Sequence, residues 1–140
     1  MANLLAQHSL QSSLQLCSIS GVILLVESYG PSFEISPPAT FTFSNNTGAV
    51  LDCPVSGEPP PTITWLTREG TPFTSYPGLV STLTNGSLQY SPFSPERWRS
   101  DIHDQMIRCQ AANVYGTVMS TVIHVKGGII KQTLIITAQL

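Results

Sequence analysis

Histidine, cysteine and asparagine are the side chains of this sequence whose neighbours could give them chemistry. The histidines are His8, His103 and His124, and only His103 has carboxylates beside it, Asp101 and Asp104. A His–carboxylate group can act as a general base, but only within reach of a nucleophile or a substrate proton. No G-x-S-x-G elbow occurs, and no Gly-rich phosphate loop precedes a helix. The trio therefore reads as the solvated edge of a loop. The histidines and cysteines have no metal-ligand spacing. No catalysis, metal, cofactor or small-molecule substrate is expected.

The cysteines are Cys17, Cys53 and Cys109, and an odd count in a secreted chain leaves a reactive thiol. If Cys17 lies in a segment that is removed, Cys53 and Cys109 remain as one pair, which implies an oxidising compartment. Closing so long a loop stabilises by roughly 4 kcal/mol in the chain-entropy account. Asn45-Asn46-Thr47 and Asn85-Gly86-Ser87 are N-x-S/T sequons. In a secreted chain, Asn45 and Asn85 are candidate glycan acceptors in surface turns.

The elements that must position these residues are short and strand-like, separated by turn residues at fairly regular spacing. Thr40–Phe43 alternates, and Asn45–Gly48 turns. Ala49–Val55 alternates with Ala49, Leu51, Cys53 and Val55 on one face. Gly57-Glu58-Pro59-Pro60-Pro61 reads as a stiff loop, because each proline fixes φ and lacks an N–H. Thr62–Leu66 points Ile63 and Trp65 inward. A weak strand over 79–84 leads to Asn85-Gly86, a two-residue hairpin signal, and then to Ser87–Tyr90. Ser94–Asp101 is a polar connection with a short helical turn. Gln105–Ala112 places Ile107, Cys109 and Ala111 on one face, Asn113–Gly116 turns, and Thr117–Val125 is the last strand. No internal repeat is visible, and no segment of useful length has helical period.

Cys53, Trp65 and Cys109 carry the fold assignment. Two sheets packed face to face lie about 10 Å apart, and a disulfide bridging them needs a large flat apolar partner, which Trp65 supplies. The Cys…Trp…Cys order is the signature of an all-β immunoglobulin-like sandwich, two antiparallel sheets with one inter-sheet disulfide. The domain is expected over residues 33–126. Position 107 holds Ile where many such domains hold the tyrosine of the E–F corner, so that corner must be held in another way.

Gly57-x-Pro59-x-Pro61-x-Ile63-x-Trp65 resembles the B–C region of intermediate-type (I-set) immunoglobulin domains of cell-adhesion molecules. Cys109-Gln-Ala-Ala-Asn-Val-Tyr-Gly116 is similar to their F–G hairpin. Gly30-Pro31-x-Phe33, Phe43-Ser-Asn-Asn-Thr-Gly-Ala49, Glu69-Gly-Thr-Pro72, Pro77-Gly-Leu79, Asn85-Gly-Ser-Leu88 and Ser91-Pro-Phe93 together resemble the first, membrane-distal immunoglobulin domain of the Down syndrome cell adhesion molecule (Dscam) family, above all its arthropod members. The resemblance covers about residues 30–126. It implies homophilic recognition between neurites, in axon guidance and dendrite self-avoidance, at the neuronal plasma membrane. It also implies a place in the horseshoe of the first four domains. The partners expected are other immunoglobulin domains, in the same molecule or in another copy. Exposed aromatic residues are the candidate contacts: Trp98, set between Arg97 and Arg99, and a rim of Phe73, Tyr76 and Tyr115. Trp98 has the alternative task of covering the bottom edge of the core while the arginine heads reach water.

Composition agrees with an extracellular β-protein. Of 140 residues, 41% are apolar and only 10% charged, with net charge −2, against about 25% charged in ordinary domains. No basic stripe exists to bind nucleic acid. Residues 1–28 hold no Lys, Arg or Pro, and their apolar run to Leu24-Leu25-Val26 resembles the core and cleavage site of a secretory leader, though without its basic start. Residues 127–140 read as a tail or the start of a linker. Neither end has the about 20 apolar residues that span a bilayer. The alternatives to adhesion are a soluble ligand-binding immunoglobulin protein of immune recognition and a truncated product without independent function.

Overall fold

The computed structural model describes residues 12–19 and 21–130. Its strands are β1 (Ser12–Ile19), β2 (Val22–Phe33), β3 (Thr40–Ser44), β4 (Ala49–Leu51), β5 (Val55–Glu58), β6 (Thr62–Thr67), β7 (Val80–Thr82), β8 (Leu88–Tyr90), β9 (Asp104–Asn113), β10 (Gly116–Met119) and β11 (Ile123–Gly128). A 3-10 turn, Pro95–Arg97, and one helical turn, α1 (Ser100–His103), lie between β8 and β9.

Two layers form. In one, β9 pairs with β6 on one side; on the other it pairs with β10 along its end half and with β11 along its start. β3 adds to β11 in parallel. In the other layer, β2 pairs with β5 while β4–β8–β7 form an antiparallel run. Asp52-Cys53-Pro54 joins β4 to β5, so the alternating stretch over 49–55 is two strands and not one. Pro54 has no N–H to give a ladder, and its carbonyl instead accepts the Glu34 N–H at 3.0 Å. Pro37 and Pro38 likewise separate β2, in one layer, from β3, in the other.

Three further expectations are corrected. The stiff loop shrinks to Pro59–Pro61, since β5 runs through Gly57 and Glu58. The β7–β8 connection is not a two-residue hairpin: Leu83 N–H reaches Ser87 O at 2.8 Å, leaving Thr84, Asn85 and Gly86 as the loop. Of these, Gly86 takes the left-handed conformation, φ 92°, as three-residue hairpins require. The last strand over 117–125 is broken. Ser120 interrupts it, and its Oγ accepts the Cys109 N–H at 2.9 Å where a strand carbonyl would have stood.

The core fills the space between layers with Leu51, Cys53, Trp65, Leu79, Val80, Leu88, Tyr90, Phe93, Ile107, Cys109, Ile123 and Val125. Full burial of each large apolar side chain contributes about 1.5–3 kcal/mol. The N-terminal segment read as a leader contributes β1 and the first part of β2, paired antiparallel from Ser12↔Tyr29 to Ile19↔Val22. Of the 127–140 segment, β11 takes Gly127 and Gly128, and 131–140 lie outside the described residues.

Candidate adhesion surfaces

The centre of the sandwich is built as the three-residue signature requires. Cys53 and Cys109 are bonded, with Cα atoms 6.3 Å apart across a sequence separation of 56. Trp65 sits directly opposite Cys109 in the β6–β9 register. Its indole N–H is not left unpaired by burial, donating to Gly86 O at 2.7 Å. The signature tryptophan therefore ties the β7–β8 loop to the opposite layer.

At one end of the sandwich, an aromatic stack does the work of the missing corner tyrosine. His103 is only 1% exposed, which corrects its reading as part of a solvated loop edge. Its ring lies 4.0 Å from Phe93 and 6.4 Å from Trp98, centroid to centroid. Its Nδ1 accepts the Arg99 N–H at 2.9 Å, which closes the α1 turn. Trp98 donates its indole N–H to Gly127 O at 3.0 Å, fastening the corner to β11. Ile107, which stands where that tyrosine is expected, is fully buried. Burial lowers the His103 pKa. The flanking carboxylates are exposed and engaged: Asp101 makes a bidentate pair with Arg99 (2.7 and 3.0 Å), and Asp104 pairs with His124 (2.6 Å). The Arg99 guanidinium holds the Asp101 carboxyl below the usual carboxylate range. No group of three or more His, Cys, Asp or Glu able to hold a metal occurs among the described residues.

The four aromatic contact candidates divide between the two ends. Phe73 and Tyr76 line a hollow with Arg99, Ile102 and Gln105 beside the E–F corner. Arg99 caps the Tyr76 ring at 4.2 Å. Trp98 belongs to this same end and stays 39% exposed, Tyr76 42%. Phe73 is half-buried and packs on the core. Tyr115 lies at the opposite end, in the β9–β10 turn, 37% exposed. Asn113, which drew no attention in the sequence beyond its place in the hairpin motif, organises that end. Its Nδ2 donates to Tyr29 O (2.9 Å) and Pro59 O (3.0 Å), and its Oδ1 accepts the Tyr115 N–H (2.9 Å). One short side chain thus holds three segments together, and only their convergence in space reveals it.

The sequons part in the same way. Asn85 is exposed, and its Oδ1 accepts the Ser87 N–H at 3.0 Å. Asn45 is in a turn, but its side chain is buried: Nδ2 donates to Phe93 O at 3.1 Å and Oδ1 accepts the Ile130 N–H at 2.8 Å.

No protein-family model matches the chain. It is 38% identical over 97 residues to the cell adhesion molecule Dscam1 of Drosophila melanogaster, covering 69% of this chain and 5% of that protein. To human DSCAM it is 36% identical over 84 residues, 60% of this chain and 4% of that one. Among solved structures, the N-terminal four Ig domains of Dscam1 isoform 7.44 superpose with a TM-score of 0.71 at 35% identity, covering 76% of this chain and 27% of that chain. The N-terminal eight Ig domains of DSCAM isoform 1.30.30 give 0.69 at 36%, over 73% and 15%. The domain is an immunoglobulin domain of the Dscam type. The shares fit one domain of four and one of eight, and the chain spans about 5% of the length of the curated relatives it matches. Those relatives are cell adhesion molecules. No helix of the described residues of this Dscam-type chain is long and apolar enough to cross a membrane.

Proposed function

We propose that this chain supplies an extracellular cell-adhesion and recognition module of the Dscam kind, corresponding to the membrane-distal first domain. Residues 33–126 act as the working unit, 1–28 as a leader and 127–140 as the start of a linker. Its biological role is homophilic cell–cell recognition, in axon guidance and dendrite self-avoidance. The observation that carries this reading is the match of 35–36% identity and TM-score about 0.7 to N-terminal Dscam1 Ig domains. A disulfide-closed core and a surface poor in charge support the same reading.

The mechanism is complementarity of shape and hydrogen bonding, with no bond made or broken. A partner immunoglobulin domain docks on exposed aromatic anchors, since Trp, Tyr and Arg dominate interface energetics. Trp98 with Tyr76 and Phe73 offers such a site at one end, and Tyr115 a separate one at the other. The test is binding of the secreted full chain to itself and to a Dscam-type N-terminal fragment, by surface plasmon resonance. Trp98→Ala is expected to weaken binding by at least about tenfold, the effect of a moderate anchor. Binding unchanged in both Trp98→Ala and Tyr115→Ala would overturn the anchor assignment, and an absence of binding to either partner would overturn the adhesion reading.

A further inference from the structure

Beside Asn85 runs an open groove of about 390 Å³. It lies between the β5–β6 loop and the β7–β8 turn. Val55, Pro60, Pro61 and Ile63 give its lining apolar carbons, and Asp52 and Asn85 give it polar groups. One Asp52 oxygen, Oδ1, accepts the Ser87 hydroxyl at 2.6 Å. Asn85 Oδ1 is occupied by the Ser87 N–H, and Asn85 Nδ2 has no hydrogen bond among the described residues. The asparagine is thus held by its carbonyl, on the lining of the groove, and its amide nitrogen is not taken up by a hydrogen bond.

From this geometry we infer that Asn85 carries an N-linked glycan and that its first sugar, N-acetylglucosamine, occupies the groove. The inference rests on the extracellular reading above. The donor is an oligosaccharide linked to a lipid diphosphate. Its sugar C1–O bond to the diphosphate breaks, a C1–Nδ2 bond forms, and the Nδ2 proton leaves as the diphosphate departs with the electron pair. The tethered sugar has an apolar C–H face and an acetyl methyl, which suit Ile63 and the two prolines. Its hydroxyls are donors, which suit the second Asp52 oxygen, Oδ2. A lining that sets apolar carbons beside polar acceptors matches the two kinds of surface that a sugar presents.

Asn45 is the built-in contrast. A sugar on its Nδ2 would have to enter a buried position and part Asn45 from Phe93 O, on the same side chain that accepts the Ile130 N–H. The folded domain therefore carries one glycan and not two.

The test expresses the full chain through a secretory system and maps glycans and disulfides by peptide mass spectrometry. Wild type, Asn85→Gln and Thr47→Ala are compared; the last destroys the Asn45 sequon without altering Asn45. One glycan is expected, lost in Asn85→Gln and kept in Thr47→Ala. After trimming to a single N-acetylglucosamine, nuclear Overhauser contacts are expected from its acetyl methyl to Ile63 and to Pro60 or Pro61. A glycan at Asn45, or an unmodified Asn85 in molecules whose Cys53–Cys109 bond has formed, overturns the site. A glycan at Asn85 without those contacts overturns the seat. Free thiols at Cys53 and Cys109 overturn the extracellular reading itself, a failure read from the cysteines and separate from Asn85.

Discussion

His103 and Tyr90 are polar groups inside an apolar core, and each has an atom with no partner: His103 Nε2 and the Tyr90 hydroxyl. An unpaired buried polar atom costs about 1–3 kcal/mol. For His103 the consequence is a pH dependence. Burial favours the neutral ring, so the folded pKa lies below the unfolded value of about 6.5. The Arg99 guanidinium opposes protonation and the Asp101 carboxylate favours it, both from the α1 corner; Phe43, Phe93, Trp98 and Gly127, packed on the other sides, are neutral. Below the unfolded pKa the unfolded chain binds the extra proton and the folded one does not. Stability is therefore fully present above about pH 6.5 and declines as pH falls from there through the depressed folded pKa. Melting temperature followed from pH 7.5 to 5 should drop in the wild type, and the slope should flatten in His103→Phe. For Tyr90 the consequence is simpler. Its ring packs 4.9 Å from Phe43 and 6.4 Å from Phe41, while its buried hydroxyl has no hydrogen-bond partner and suffers desolvation. Tyr90→Phe is expected to leave the core intact and to stabilise by about 1 kcal/mol, read as a rise in guanidinium midpoint at unchanged m-value.

At the scale of the element, turns are where side-chain volume decides the outcome. Gly48 ends the turn between β3 and β4 with φ 64°, and a Cβ there would stand 2.3 Å from Tyr90 O and 3.0 Å from Pro92 N. The neighbours are backbone and cannot swing aside. Gly48→Ala therefore combines left-handed strain with a clash, and a loss of about 3 kcal/mol or more is expected in chemical denaturation. The same turn holds Asn45, which binds Phe93 O on one side and the Ile130 N–H on the other, so strain at Gly48 also reaches the path by which β11 leaves the domain. The β3–β4 turn itself was legible from Asn45–Gly48. Its link to residue 130 was not, because that contact joins positions 85 apart in sequence.

For the whole molecule, the Cys53–Cys109 bond closes the two layers around Trp65. Replacing both cysteines by alanine should cost about 4 kcal/mol, chiefly by freeing the unfolded chain. The loss is measured by guanidinium unfolding of the oxidised wild type against the double variant, and a difference under about 1 kcal/mol would mean that packing alone holds the layers. The arrangement of the exposed aromatics is also a property of the whole molecule. Trp98 and Tyr76 stand at one end and Tyr115 at the other, a separation that only the folded chain creates.

The fold class, the three-residue core signature and most strand positions were determined by sequence alone. They depend on alternation, proline and glycine, which act over a few residues. What only the tertiary structure decided is how distant groups meet. Pro54 divides one apparent strand between two ladders because β2 and β8 compete for its neighbours. His103, polar and flanked by charges in sequence, is buried because Phe93, Trp98 and Gly127 converge on it. Asn45 and Asn85 share one motif, and they are separated by the burial of Asn45 and its hydrogen bonds to the backbone of Phe93 and Ile130. Local pattern sets which way each strand faces, but burial is fixed by what the rest of the chain lays on top.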